Sequence, residues 1–180
     1  MGTVSPIDEE YYRLGRGHID TAYKWVPSYV KVLEIGPRED KRKGIPGWDT
    51  LDIVPGCTYQ ADICGVTPIE TSSFDCVICM DVLEHVVNPW AAIAEIRRIL
   101  KPGGWLIAGT PFNFRIHGPL PDCWRFTEHG IKVLMKDWDD LEIVSMESDR
   151  FLAPTHYNWR AKCNKEKLIG TQELNFRWID

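Results

Sequence analysis

Two histidines stand where apolar runs give way to polar loops. His85 follows Asp81-Val82-Leu83-Glu84, just past the apolar run Cys76 to Met80, and His117 lies beyond the run Trp105 to Ala108. An imidazole with an ordinary pKa of about 6.5 is partly neutral near pH 7, so either ring could take a proton from a hydroxyl or an ammonium. Asp122 follows closely enough to orient His117. The plainer alternatives are a helix-capping role for His85 and a loop histidine fixed by backbone hydrogen bonds for His117. Asp52 closes another predicted strand. A carboxylate there can accept two hydrogen bonds from a ribose diol, and the alternative is a solvated strand-end aspartate. Cys76 and Cys79 form a C-x-x-C, a spacing used by metal and redox sites. Three positions apart in a strand, however, they face opposite ways, and no second pair stands at zinc spacing. They read as buried thiols, and no metal is expected.

The elements that must position these groups are legible around Phe74 to Pro111. Cys76 to Met80, rich in Val and Ile and bounded by aspartates, predicts a strand buried on both faces. Pro89 suits the first turn of a following helix, with Trp90, Ile93, Ala94, Ile96 and Leu100 as its apolar stripe. Lys101-Pro102-Gly103-Gly104 predicts its end, and Trp105 to Ala108 a second buried strand. Strand, helix and strand of these lengths make a right-handed parallel crossover, with function expected where the strands end.

The same stretch resembles the class I S-adenosylmethionine-dependent methyltransferases of the type-11 kind. The family's D-x-L-E-H, R-x-L-K-P-G-G and strand-end proline are matched in order by Asp81 to His85, Arg98 to Gly104 and Pro111. The resemblance covers roughly residues 30 to 150. It implies a doubly wound α/β fold of three layers, α/β/α, with a mostly parallel seven-stranded sheet and one antiparallel strand. It also implies S-adenosylmethionine as cofactor. Val30 to Ile35 would be the first strand, with Glu34 and Gly36 at the methionine end of the cofactor; the family's second and third glycines are missing from their usual places. Gly47-Trp48-Asp49-Thr50-Leu51-Asp52 resembles a variant in which a loop replaces the first helix. The resemblance assigns the ribose to Asp52 and Ile53, the adenine to Asp62 and Ile63, and the sulfonium to the backbone of Met80 and Asp81. A loop of the form H-x-x-P-x-D-x-W-R-F-T is matched by His117, Asp122 and Trp124 to Thr127, which puts His117 at the mouth of the active site. Arg125 is expected to anchor that loop. The family's base-methylating motif N/D-P-P-Y/F is replaced by Asp81 to Glu84, so nucleic acid is not the favoured acceptor.

The rest of the chain fits one domain: a helical cap at 1–29, a core at 30–163 and an extension at 164–180. Residues 7 to 26 predict two short helices jointed at Gly15 and Gly17, with Tyr11, Tyr12 and Trp25 against the core. Thr127 predicts an N-cap for a helix carrying Ile131, Leu134, Met135 and Trp138 inward, and Leu141 to Met146 with Tyr157 to Cys163 a closing antiparallel pair. At 180 residues, 44% hydrophobic and 26% charged, the composition is that of a globular protein. A net charge of −5 argues against a large phosphate-binding surface. No apolar run reaches the roughly 20 residues of a membrane span, and the acidic N-terminus lacks a secretory core, so a cytoplasmic location is expected. Oligomeric state is not encoded. The expected activity is methyl transfer to a hydroxyl or amine of a small metabolite, a sugar or natural product among the candidates. A non-catalytic scaffold of the same fold is the alternative. A nicotinamide-dependent oxidoreductase ranks lower, because G-x-G-x-x-G and a Tyr-x-x-x-Lys pair are both missing.

Overall fold

The computed structural model describes residues 18–28, 30–37, 46–146 and 153–166. Seven strands form one sheet: β1 (Val32–Ile35), β2 (Asp49–Asp52), β3 (Tyr59–Gln60), β4 (Phe74–Met80), β5 (Leu100–Pro111), β6 (Asp139–Met146) and β7 (His156–Lys162). Their spatial order is β3-β2-β1-β4-β5-β7-β6. The first five run parallel, and β7 is antiparallel to both β5 and β6. Strand order reverses between β1 and β4, and such a reversal opens a crevice at the carboxyl ends of the strands. This is the doubly wound methyltransferase architecture expected from the sequence.

The central strand β4 explains the two-sided core. Val77 and Cys79 join one apolar cluster, together with Ala92, Ile93, Ile96, Ile131 and Leu134 from the helices α1 (Pro89–Ile99) and α2 (Glu128–Leu134), and with Trp138 just beyond α2. Cys76, Ile78 and Met80 join the other, under Ala22 and the half-buried Ile19, Tyr23 and Trp25. Residues 18–23 are helical, so helices cover both faces. Cys76 and Cys79 are fully buried on opposite faces, and burial pushes the Cys76 thiol up to about 12.

Helix α1 is rotated from its expected stripe. Ala92, Ile93, Ile96 and Ile99 are buried, whereas Trp90 is 52% exposed and Ala94 faces solvent. The reason lies at both ends. Asn88 caps the helix, its side chain accepting from the Ala91 amide at 3.1 Å. At the other end the helix stops at Ile99, and Leu100 is already extended and paired opposite Phe74. Lys101 therefore does not serve the helix terminus; its Nζ reaches Asp75 Oδ1 at 2.8 Å across the sheet. The expected N-cap of α2 is present, Thr127 accepting from the Gly130 amide at 3.1 Å, and Ile131, Leu134, Met135 and Trp138 are buried; the helix is shorter than expected, ending at Leu134, so Met135 and Trp138 are buried from beyond it. The closing antiparallel pair is present, with β6 starting two residues earlier than expected and β7 shifted by one. The predicted joint at Gly15 and Gly17, Tyr11 and Tyr12, most of the loop between β1 and β2 (38–45), and the TQELNFRWID segment lie outside the described residues.

Candidate functional site

Residues at the carboxyl edge of β1, β2 and β3 form one half of the site. Glu34 is only 6% exposed; the Tyr23 hydroxyl donates to its Oε1 at 2.6 Å, while Oε2 is buried without a hydrogen bond among the described residues. Gly36 follows with φ +66°, its amide donating to the Leu51 carbonyl at 2.9 Å. A Cβ at Gly36 would stand 2.4 Å from Val82 Cγ2, so the close approach of the first loop to the β4 turn requires glycine. Asp52 ends β2, half-buried, and one carboxylate oxygen accepts from the Val54 amide at 3.2 Å. Ile53 beside it is exposed. Asp62 lies past β3 and accepts from the Cys64 amide at 2.8 Å; Ile63 turns its side chain into the core.

The other half is built by the turn after β4 and the loop after β5. Asp81 takes φ +54°, and its amide donates to the Gly109 carbonyl at 2.9 Å. Met80 packs tightly over Gly109, where an added Cβ would meet its Cε at 2.4 Å. The His85 amide bonds the Val82 carbonyl at 2.9 Å, closing the turn that carries Glu84 and His85. The loop is fastened to this turn: the Cys123 and Trp124 amides donate to the Glu84 carbonyl at 2.7 and 3.2 Å, and the Trp124 indole donates to the Val86 carbonyl at 2.9 Å. Arg125 anchors the loop by a bidentate pair with Asp122 and by bonds to the carbonyls of Phe114, Arg115 and Trp124.

Asp122 and His117, neighbours in sequence order, meet in space. The His117 amide donates to Asp122 Oδ2 at 2.9 Å, and His117 Nδ1 lies 3.1 Å from the same oxygen. The Arg125 hydrogen bonds hold the Asp122 carboxyl far below the usual range. Burial lowers the His117 pKa, against the opposing pull of Asp122. His117 and His85 meet edge to face at 4.8 Å, and Phe114 packs edge-on against His117 at 4.9 Å. Between the two imidazoles lies Glu84, whose side chain is fully buried; burial, and then the charge of Asp81, push its carboxyl well above the usual range.

Two further histidines reach the same edge from afar. His18 and His156 stack at 4.2 Å, and His18 Nε2 stands 3.2 Å from Asp81 Oδ1. Burial and the neighbouring His18 depress His156 to about 4. The Asn158 side chain donates to the His18 carbonyl at 2.8 Å. Sequence reasoning missed His18, His156, Asn158 and Tyr23, because residues brought together across 140 positions leave no local spacing. Glu84 was visible inside its motif, and an acid between Leu83 and a strand-end histidine was the available signal. A separate cavity of about 450 Å³, lined by Pro102, Gly103, Asp139 and Lys162, sits at the opposite end of β5 and holds none of these groups. No helix among the described residues is long and apolar enough to cross a membrane.

Comparison with known proteins bears on the fold and the domain. Residues 38–108 match the family described as a methyltransferase domain. A ubiquinone biosynthesis O-methyltransferase of Burkholderia vietnamiensis is 42% identical over 97 residues, 53% of this chain and 40% of that protein. The chain spans between 13% and 40% of the length of the curated relatives it matches. Among solved structures, a methyltransferase from Archaeoglobus fulgidus superposes with TM-score 0.66 at 14% identity, covering 87% of this chain and 98% of that one. The N-methyltransferase NodS from Bradyrhizobium japonicum WM9 gives 0.63 at 19% identity, covering 85% and 98%. At such identities these structures speak for the fold alone. Fold, ordered motifs and domain match converge: the chain has the fold of the class I S-adenosylmethionine-dependent methyltransferases, and its residues 38–108 are similar to the methyltransferase domain of the type-11 kind.

Proposed function

We propose that this chain transfers a methyl group from S-adenosylmethionine to a hydroxyl or amine of a small molecule. The observation that carries the reading is the cradle at the β1 edge. A buried, half-satisfied carboxylate at Glu34 lies beside a glycine whose conformation and contact with Val82 exclude any side chain. Such a cradle suits a ligand with a cationic amine and a close-lying backbone. Glu34 and Gly36 would hold the methionine end, Asp52 with Ile53 the ribose, Asp62 with the Ile63 amide the adenine, and Met80 with Asp81 the region of the sulfonium. The cofactor supplies an already activated methyl group, so the chain's task is to hold the acceptor in line and manage its proton. Glu84, His85 and His117 face the acceptor half. The His117 lone pair can serve there by taking a proton directly or by holding a cation that acts on the acceptor.

Curated O-methyltransferase relatives fit an acceptor of this class, and nothing favours nucleic acid. Calorimetric titration with S-adenosylmethionine tests the reading. The parent chain is expected to bind, and Asp52→Ala to weaken binding about 5- to 150-fold, the loss of roughly 1–3 kcal/mol for a charged acceptor of hydrogen bonds. A parent that takes up no S-adenosylmethionine would instead support a non-catalytic scaffold, and unchanged affinity in the variant would remove Asp52 from the site.

A further inference from the structure

We propose that Glu84, His85 and His117 form a binding site for one divalent first-row transition-metal ion, held by two imidazole Nε2 atoms and a carboxylate oxygen. The argument starts from proton positions. His85 Nδ1 lies 3.0 Å from the Pro121 carbonyl, which can only accept, so Nδ1 carries the proton and Nε2 a bare lone pair. His117 Nδ1 lies 3.1 Å from the Asp122 carboxylate without a hydrogen bond to it, and the adjacent negative charge favours the proton on that nitrogen, the same tautomer. Both bare Nε2 atoms then face one oxygen: Glu84 Oε1 is 3.6 Å from that of His85 and 3.8 Å from that of His117. Neither Glu84 oxygen receives a hydrogen bond among the described residues, and the side chain is fully buried. Three acceptors thus converge with no donor between them.

A proton on Glu84 relieves this poorly. It could serve only one imidazole, and both separations exceed hydrogen-bond length. A cation serves all three at once. Two ligand atoms about 2.05 Å from a tetrahedral zinc ion lie roughly 3.3 Å apart, so the Glu84–histidine separations need to close by only a few tenths of an ångström. The three ligand atoms already lie within 4.8 Å of one another. The outer partners are those a metal site requires. The Pro121 carbonyl holds His85 Nδ1, while Asp122 bonds the His117 amide and lies beside its Nδ1, and Arg125 in turn holds that carboxylate. Glu84 is buried while the imidazoles are partly exposed, so the open coordination positions face outward, toward the acceptor. An ion there would bind an acceptor oxygen and favour release of its proton to water. The cluster of His18, Asp81 and His156 is a weaker candidate, since its rings are stacked and His18 Nε2 is already spent on Asp81.

The ion's role at the acceptor rests on the methyltransferase reading, but its binding does not. The full chain, stripped with a chelator, is titrated with Co²⁺ and followed by visible absorption, then challenged with Zn²⁺. One equivalent of Co²⁺ should give ligand-field bands that Zn²⁺ removes. Glu84→Gln, His85→Ala and His117→Ala should each weaken binding at least about 10-fold, and Asp122→Asn about 10- to 100-fold. His156→Ala should retain the parent spectrum. Each variant is melted in chelator, so that a lost site is scored only on a folded chain. The proposal is overturned by a parent that binds neither ion, by folded Glu84, His85 and His117 variants that keep parental affinity, or by loss of the bands in His156→Ala. A chain that binds Co²⁺ but no S-adenosylmethionine would leave the metal site standing and sink the methyltransferase reading.

Discussion

Replacing Gly36 by alanine tests how the first loop and the β4 turn are fitted together. At φ +66° an L-residue costs about 1–2 kcal/mol more than glycine. The new methyl would also stand 2.4 Å from Val82 Cγ2, more than 1 Å inside normal carbon–carbon contact of about 3.5–4.0 Å. Val82 is half-buried, so the chain must shift it, and overpacking of this kind costs about 1–3 kcal/mol. Gly36→Ala should therefore lower stability by about 2–5 kcal/mol, read as a shift in the urea midpoint at unchanged slope. The two contributions separate in a double-mutant cycle. Val82→Ala removes the colliding methyl but leaves the backbone conformation, so the double variant should recover about 1–3 kcal/mol beyond additivity while the backbone penalty persists. A Gly36→Ala protein within about 0.5 kcal/mol of the parent, or a cycle without coupling, would refute the reasoning.

Acid stability should depend on His156. Its folded pKa of about 4 lies below the ordinary 6.5, so between these values the unfolded chain takes up a proton that the folded chain refuses. Stability from this residue is present above about pH 6.5 and lost as the pH falls toward 4, by at most about 3 kcal/mol. His18, His117 and Arg125 oppose its charging and Asp81 favours it; Glu84, with its raised pKa, shifts stability the opposite way on acidification. The difference between parent and His156→Asn urea curves at pH 7 and pH 4.5 isolates the contribution, and parallel pH trends would contradict it. Thiol labelling of the native chain should find Cys123 fast, Cys57 and Cys64 slower, and Cys76, Cys79 and Cys163 silent until unfolding. Reaction of Cys76 or Cys79 in the folded chain would break the two-sided burial of β4.

Most of the fold was legible because its signals are local. The run from Cys76 to Met80 had to be a two-sided strand, Pro89 had to open a helix, and Thr127 had to cap one. The stripe of α1 was misjudged for a physical reason: Trp90 and Leu100 sit at its ends, where the Asn88 cap and the strand pairing of Leu100, rather than helical periodicity, decide direction. In the site, His85, His117 and Asp122 were legible as candidates from type and position. Their convergence on Glu84 was not, because it depends on main-chain bonds between the turn at 82–86 and the loop at 112–127. His18 and His156 were illegible, since only the antiparallel entry of β7 and the packing of the first helical residues bring them to Asp81.

Those main-chain bonds carry a consequence for how a chain of this fold diversifies. The loop after β5 grips the turn after β4 through the carbonyls of Glu84 and Val86, atoms that every residue type supplies. Docking of the loop is thus nearly blind to side-chain identity in the turn. A foreign loop of equal length that keeps the Asp122–Arg125 brace and an indole at position 124 could be transplanted whole, and under the proposed function it would bring a new acceptor preference while the β1–β3 edge stayed untouched. Recombination at the two ends of this loop, rather than stepwise substitution within it, is the cheaper route to a new loop surface.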